Sequence, residues 1–237
     1  MKWLTLAAAL MTASSTGYAA AASRSESIGG KEFRLSSPDG YVDLCAQDSE
    51  AAQAFAQEVP PANEFLGCYT TPSDLEAWAT RAGGVFESYL VVSVMKDTIG
   101  RTVSPAEFAA FRRQVNAQVS TLHEKLAPLL EDHISKVEKA TSEKEGVAIR
   151  VEPGQTVPLG VFDEAENYIA SAWLVSNQFF VDDTPILSSK IRISTAVLVH
   201  GKVLVLFTIG EYRQASDTKR YQDIARGWRA RVIADNT

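Results

Sequence analysis

The sequence predicts an α+β fold, in which an antiparallel sheet is packed by a long central helix and a C-terminal helix. Three observations carry that expectation. Apolar residues recur at three- and four-residue steps from Phe108 to Val137, as on one stripe of a helix. The β-rich segments Lys190–Val199 and Lys202–Tyr212 are separated only by His200-Gly201, a connection that suits a tight hairpin. From Ser216 onward, Tyr221, Ile224, Ala225, Trp228 and Val232 fall on one helical face. Helices in the middle, adjacent antiparallel strands later and a closing helix together make an α+β layer arrangement.

In chain order, the first residues carry an address. Met1-Lys2 supplies a positive charge, Trp3 to Met11 is apolar, and small residues follow through Ser23. Those are the parts of a secretory signal. Residues 1–22 are therefore expected to be a cleavable signal peptide, cut between Ala20 and Ala22, and residues 23–237 a single α+β domain. The apolar run falls short of the roughly 20 residues that span a hydrocarbon core. No transmembrane segment is expected after cleavage, and the localisation expected is periplasmic or secreted.

Ser23 to Gly30 is small and polar and reads as a flexible lead-in. Lys31–Leu35 alternates polar and apolar, as a half-buried strand does. Ser37-Pro38-Asp39-Gly40 is a turn, since proline presets its own backbone angle and glycine tolerates positive φ. Tyr41–Leu44 resumes the alternation. A short helix is expected over Ser49–Glu58, ending before Pro60-Pro61. A second begins at Ser73, with Glu76 completing a capping box, and stops at Gly83-Gly84.

Val85–Met95 reads as a buried strand. Ser104-Pro105-Ala106-Glu107 combines an N-cap, a proline at the first helical position and a capping glutamate. It opens the long helix, which Pro128 should kink. The polar stretch from Thr141 to Gly146 closes that helix. Tyr168–Val175 is a further strand.

Cys45 and Cys68 are the two cysteines. In an exported chain two thiols usually pair, and a bridge closing this short loop contributes about 3 kcal/mol in the loop-entropy account. The formal net charge is −6, and −7 once Lys2 leaves with the signal. That balance argues against a nucleic-acid partner, which normally meets a basic excess.

Motifs for chemistry are sparse. His123 and His133 lie ten residues apart on one expected helix, roughly 15 Å along its axis, so they do not share a metal unless Pro128 bends that helix sharply. His123-Glu124 lacks the second histidine of a zinc-protease motif. His200 reads as a turn residue. The acidic clusters Asp163-Glu164-Ala165-Glu166 and Asp182-Asp183 lack the spacing and glycine of a calcium loop. No G-x-S-x-G elbow occurs. No catalytic residue, metal ligand or cofactor is assigned. The basic face of the last helix, Arg220, Arg226, Arg229 and Arg231, is the candidate interaction surface. Trp78, Trp173 and Trp228 read as core anchors.

Phe33 to Tyr41, where a strand meets a proline-glycine turn and an aromatic, resembles the opening of PsbP/Mog1-like proteins. The hairpin through His200-Gly201, Tyr212 and the closing helix with Trp228 is similar to the end of that family. The resemblance implies helices packed on an antiparallel sheet and a non-enzymatic accessory or binding role, with no catalytic residues to carry over. The function expected is an exported, non-catalytic binding or accessory protein acting through a protein or envelope partner. The alternatives are an envelope hydrolase, and a small-ligand or lipid carrier using a cavity between sheet and helix.

Overall fold

A computed structural model describes residues 23–80, 86–121, 150–181 and 184–237. Its strands are β1 (Ser23–Ile28), β2 (Lys31–Ser36), β3 (Val42–Asp43), β4 (Asn63–Thr70), β5 (Ser88–Met95), β6 (Arg150–Ala165), β7 (Tyr168–Val181), β8 (Thr184–Val199) and β9 (Lys202–Glu211). Its helices are α1 (Ser49–Glu58), α2 (Pro72–Ala79), α3 (Lys96–Ile99), α4 (residues 105–121) and α5 (Ala215–Ala234). The fold is α+β. A seven-stranded antiparallel sheet runs β3-β4-β5-β9-β8-β7-β6, and β1-β2 forms a separate hairpin.

The sheet is joined into one because the β6–β9 meander returns its last strand beside β5. With a neighbour on each side and both faces covered, β9 is buried along nearly its whole length. A strand in that position reads as a continuous apolar run rather than an alternation. The hairpin before it is as expected: Val199 pairs with Lys202, and His200 and Gly201 both take positive φ, 49° and 75°.

One face of the sheet presents Leu90, Val92, Val94, Val197, Val199, Leu204 and Leu206 to Phe33 and Leu35 of the hairpin and to Trp228 and Val232 of α5. Further along the same face, Ala172, Leu174, Ile191 and Ile193 meet Tyr221 and Ala225. The apolar stripe of α5 therefore packs as its spacing predicts. The other face carries two separate covers. At one side α1 lays Ala51 and Phe55 over Cys68, Tyr89, Val91, Phe207 and Ile209. At the far end α4 lays Phe108 against Val103, Ile169, Ala196 and Val203.

Several boundaries differ from expectation, each for a local reason. Ser23–Ile28 is not a lead-in but β1, paired residue for residue with β2 through Gly29 and Gly30, both at positive φ. Its polar composition hides an alternation in which Ile28 ends buried and Arg24 reaches Glu26 at 3.1 Å and Asp43 at 3.8 Å. Helix α1 spans the expected residues, capped by Asp48, whose other carboxylate oxygen accepts the Trp78 indole N–H at 2.7 Å.

Helix α2 starts slightly earlier than expected. Thr71 is its N-cap and Pro72 its first residue, while Asp74 accepts the amides of Glu87 and Ser88 at the start of β5. Gly83-Gly84 and Val85 lie outside the described residues. The capping box of α4 forms as read: Glu107 accepts the Ser104 amide at 2.7 Å and Ser104 Oγ accepts the Glu107 amide at 3.3 Å. The stripe beyond residue 121, with Pro128, His123, His133 and residues 141–146, lies outside the described residues.

Helix α5 begins at Ala215, one residue before the expected start at Ser216, with Asp217 accepting the Gln214 amide. Its end is tied down by Asn236, which accepts the Arg34 amide and donates to the Arg34 carbonyl. Cys45 and Cys68 are bonded as a disulfide, with Cα atoms 5.3 Å apart, which joins the lead-in of α1 to β4. Among the described residues no helix is long and apolar enough to cross a membrane.

Candidate functional site

Strand β8 contains Lys190-Ile191-Arg192-Ile193-Ser194, and alternation sends successive side chains to opposite faces. Ile191 and Ile193 enter the core under α5, so Lys190 and Arg192 face the side partly covered by α1. The pairing register places them. Tyr89 of β5, Ile209 of β9, Arg192 of β8 and Trp173 of β7 stand opposite one another in one row across the sheet. Lys190 stands opposite Val175, and Val91 opposite Phe207, in the flanking rows.

Of these, Tyr89, Val91, Val175, Lys190, Arg192, Phe207 and Ile209, with Glu58 and Val59 at the end of α1, line a groove of about 350 Å³. That volume is at the small end of ligand pockets, which run from about 300 to 1,000 Å³. The floor is apolar: Val59, Val91, Phe207 and Ile209.

Both cations rest on aromatic faces rather than on carboxylates. The Lys190 ammonium lies 5.1 Å from the Tyr89 ring centroid, and the Arg192 guanidinium 4.6 Å from that of Phe207. Among the described residues no carboxylate comes within 4.0 Å of either. Burial pushes the Lys190 pKa down, opposed by the more distant charges of Glu58, Glu211 and Asp74. Burial likewise lowers that of Arg192, opposed by Tyr89 and Glu58. Glu58 is engaged elsewhere: it accepts the Tyr89 hydroxyl at 2.8 Å. Burial first, then the charge and hydrogen bond of Glu58, hold the Tyr89 phenol well above its ordinary value and keep it protonated.

The chemistry available here is recognition of negative charge. Cation–π contact is worth about 0.5–2 kcal/mol and compensates a desolvated cation only in part. A guanidinium and an ammonium that still have free donors in a groove lined by both polar and apolar side chains form an anion site.

The four arginines read as an interaction surface are placed differently from one another. Arg220 reaches Glu87 at 3.7 Å. Arg226 bonds Asp223 at 2.9 Å and approaches Asp163 at 3.4 Å. Arg229 donates to Asp163 at 2.5 Å and lies 3.8 Å from the Tyr168 ring centroid. Arg231 donates to the Ser37 carbonyl and to Asp39. Each guanidinium thus meets an acceptor within the chain, at three separate places.

Asp163 is the hub of that edge. Burial raises its pKa, but the hydrogen bonds from Arg229 and Tyr168 and the charges of Arg229 and Arg226 outweigh this and lower it overall. Of the other acidic residues weighed for calcium, Glu164 approaches Arg112 at 3.9 Å. Asp182-Asp183 lies outside the described residues. Among the described residues no three His, Cys, Asp or Glu side chains gather as a metal site.

His200 sits at its hairpin tip with its ring 5.4 Å from that of Phe33. Of the tryptophans, Trp228 is fully buried. Trp78 and Trp173 are partly buried; Trp78 packs against Phe86 beside the core under α1, and Trp173 shares the row of Arg192. Sequence reasoning passed over Lys190 and Arg192. The signal was present, because two cations two residues apart on one face of an interior strand are rarely solvated there.

No family model and no curated protein matches the sequence. Among solved structures, the chain is similar to the Ran-binding protein Mog1p of Saccharomyces cerevisiae. Identity is 10%, the TM-score is 0.29, and the match covers 92% of this chain and 93% of that one. A structure of a Mog1 point mutant matches at the same identity and score, over 90% of this chain and 89% of that one.

Proposed function

We propose that this is an exported, non-catalytic binding protein that takes an anionic group of an envelope component into the groove beneath α1. In this reading residues 1–22 are removed and residues 23–237 act as one unit in the periplasm or outside the cell. One observation carries it: Lys190 and Arg192 rest over aromatic rings in a groove with an apolar floor, with no carboxylate in salt-bridge reach among the described residues. Partly buried cations cost stability unless paired. A fold retains such a cost where a ligand offsets it. The disulfide supports the oxidising compartment, because such bonds persist outside the reducing cytosol. The hydrolase alternative requires a serine, a histidine and an acid in mutual reach. The one described histidine lies against Phe33 instead.

The test separates a binding role from a structural one. Replacing Lys190 by Met, or Arg192 by Leu, should raise the free energy of unfolding by about 0.5–2 kcal/mol, the trade expected at a functional site. Chemical denaturation measures it. If both variants are instead less stable than the parent, the cations are part of the scaffold and the groove loses its claim.

A further inference from the structure

The same groove constrains its ligand further, and this step rests on the binding reading above. We infer that the ligand is a small amphiphile with a single carboxylate at one end and an uncharged apolar body. Three features of the site lead there.

Lys190 and Arg192 are two residues apart on one strand, so their backbones are separated by roughly 7 Å on the same face. A guanidinium grips a carboxylate through two parallel N–H donors, and the neighbouring ammonium adds charge without demanding geometry. One planar anionic end is enough to satisfy both.

Size excludes an inorganic ion as the whole ligand. A water's share of liquid volume is about 30 Å³. An oxyanion a few times that size leaves most of the 350 Å³ groove unfilled. The remainder is bounded by Val59, Val91, Phe207 and Ile209, which gain about 25 cal/mol for each Å² of apolar contact that displaces water. An apolar body on the ligand supplies that contact.

Glu58 sets the number of charges. It lines the same groove, held by the Tyr89 hydroxyl, and its charge acts on both Lys190 and Arg192, so two cations and one carboxylate leave one positive charge for a ligand to neutralise. A monocarboxylate fits where a dicarboxylate or a polyphosphate does not.

The experiment is calorimetric titration of the protein, residues 23–237 with its disulfide intact, with four probes: decanoate, decanol, sebacate and inorganic phosphate. Decanoate, kept below its micelle concentration, should bind at one saturable site. Sebacate, of the same length with a second carboxylate, and decanol and phosphate should each bind at least tenfold more weakly. Arg192→Leu should weaken decanoate at least tenfold. Arg192→Lys, which keeps the charge but not the fork, should fall between the two. Circular dichroism of each variant confirms the fold. If phosphate or sebacate binds as tightly as decanoate, the monocarboxylate assignment is wrong while the anion-binding groove survives. If decanol binds as tightly as decanoate, or no probe binds the parent, both the ligand class and the binding reading fall.

Discussion

Trp228→Ala should lower the free energy of unfolding by about 3–5 kcal/mol, the range for deleting a large aromatic from a core. Trp228 is 1% exposed. Its ring meets that of Tyr69 edge-on at 5.8 Å, and its indole N–H donates to the Ser36 carbonyl at 3.2 Å. It therefore joins α5, the β1-β2 hairpin and the sheet at one point. Alanine leaves a cavity among Phe33, Leu35 and Val232 and strips a buried carbonyl of its donor. Trp228→Phe restores most of the volume but not the hydrogen bond, and should lose about 1–3 kcal/mol. Trp78→Ala is the comparison and should lose less, since that ring is only partly buried, against Phe86 and Asp48. Guanidinium denaturation with the disulfide intact gives all three values. Equal losses for Trp228→Ala and Trp78→Ala would remove Trp228 from its central place in the packing.

Gly210→Ala should cost about 3 kcal/mol, at the upper end for overpacking a core. Gly210 is the next-to-last residue of β9, paired with Ser88 on one side and Ile191 on the other. Its backbone does not take positive φ, so the requirement for glycine is one of space. A Cβ placed there runs into the ring of Tyr221. That ring is completely buried and reaches the Glu87 carbonyl at 3.5 Å, so it has nowhere to turn. Burial raises its phenol to about 12.

A double-mutant cycle isolates the cause. Tyr221→Ala alone should be costly, but on that background Gly210→Ala should be close to neutral, because the atoms that collided are gone. A full and additive loss in the double variant would place the cost of Gly210→Ala somewhere other than Tyr221.

The parts of the fold legible in the sequence are those whose signal is local. Ser49–Glu58 could be read because proline stops it. The Ser104–Glu107 box could be read because its hydrogen bonds span only three residues. His200-Gly201 could be read because two positive-φ positions define the turn by themselves. The missed strands depend on partners far along the chain. In β4, Gly67 marks a register shift and lies under the Arg24 guanidinium, so Phe65, Leu66, Cys68 and Tyr69 do not alternate cleanly.

Strand β6 contains Pro153, Pro158 and Gly160 with three register shifts. Those features suit a sheet edge but break the pattern a strand is recognised by. The site was half-legible. The alternation of Lys190 and Arg192 is visible in the sequence, but the aromatic rings beneath them belong to β5 and β9, and only the pairing register brings them together.

The most direct test of the account is the native mass spectrum of the protein recovered, without reduction, from cells that export it. The account predicts a chain lacking its leading segment, with Cys45 and Cys68 oxidised, and carrying a small anionic adduct that the Arg192→Leu variant loses. A spectrum showing the whole chain from Met1 with free thiols, and the same adduct-free mass for parent and variant, would contradict it.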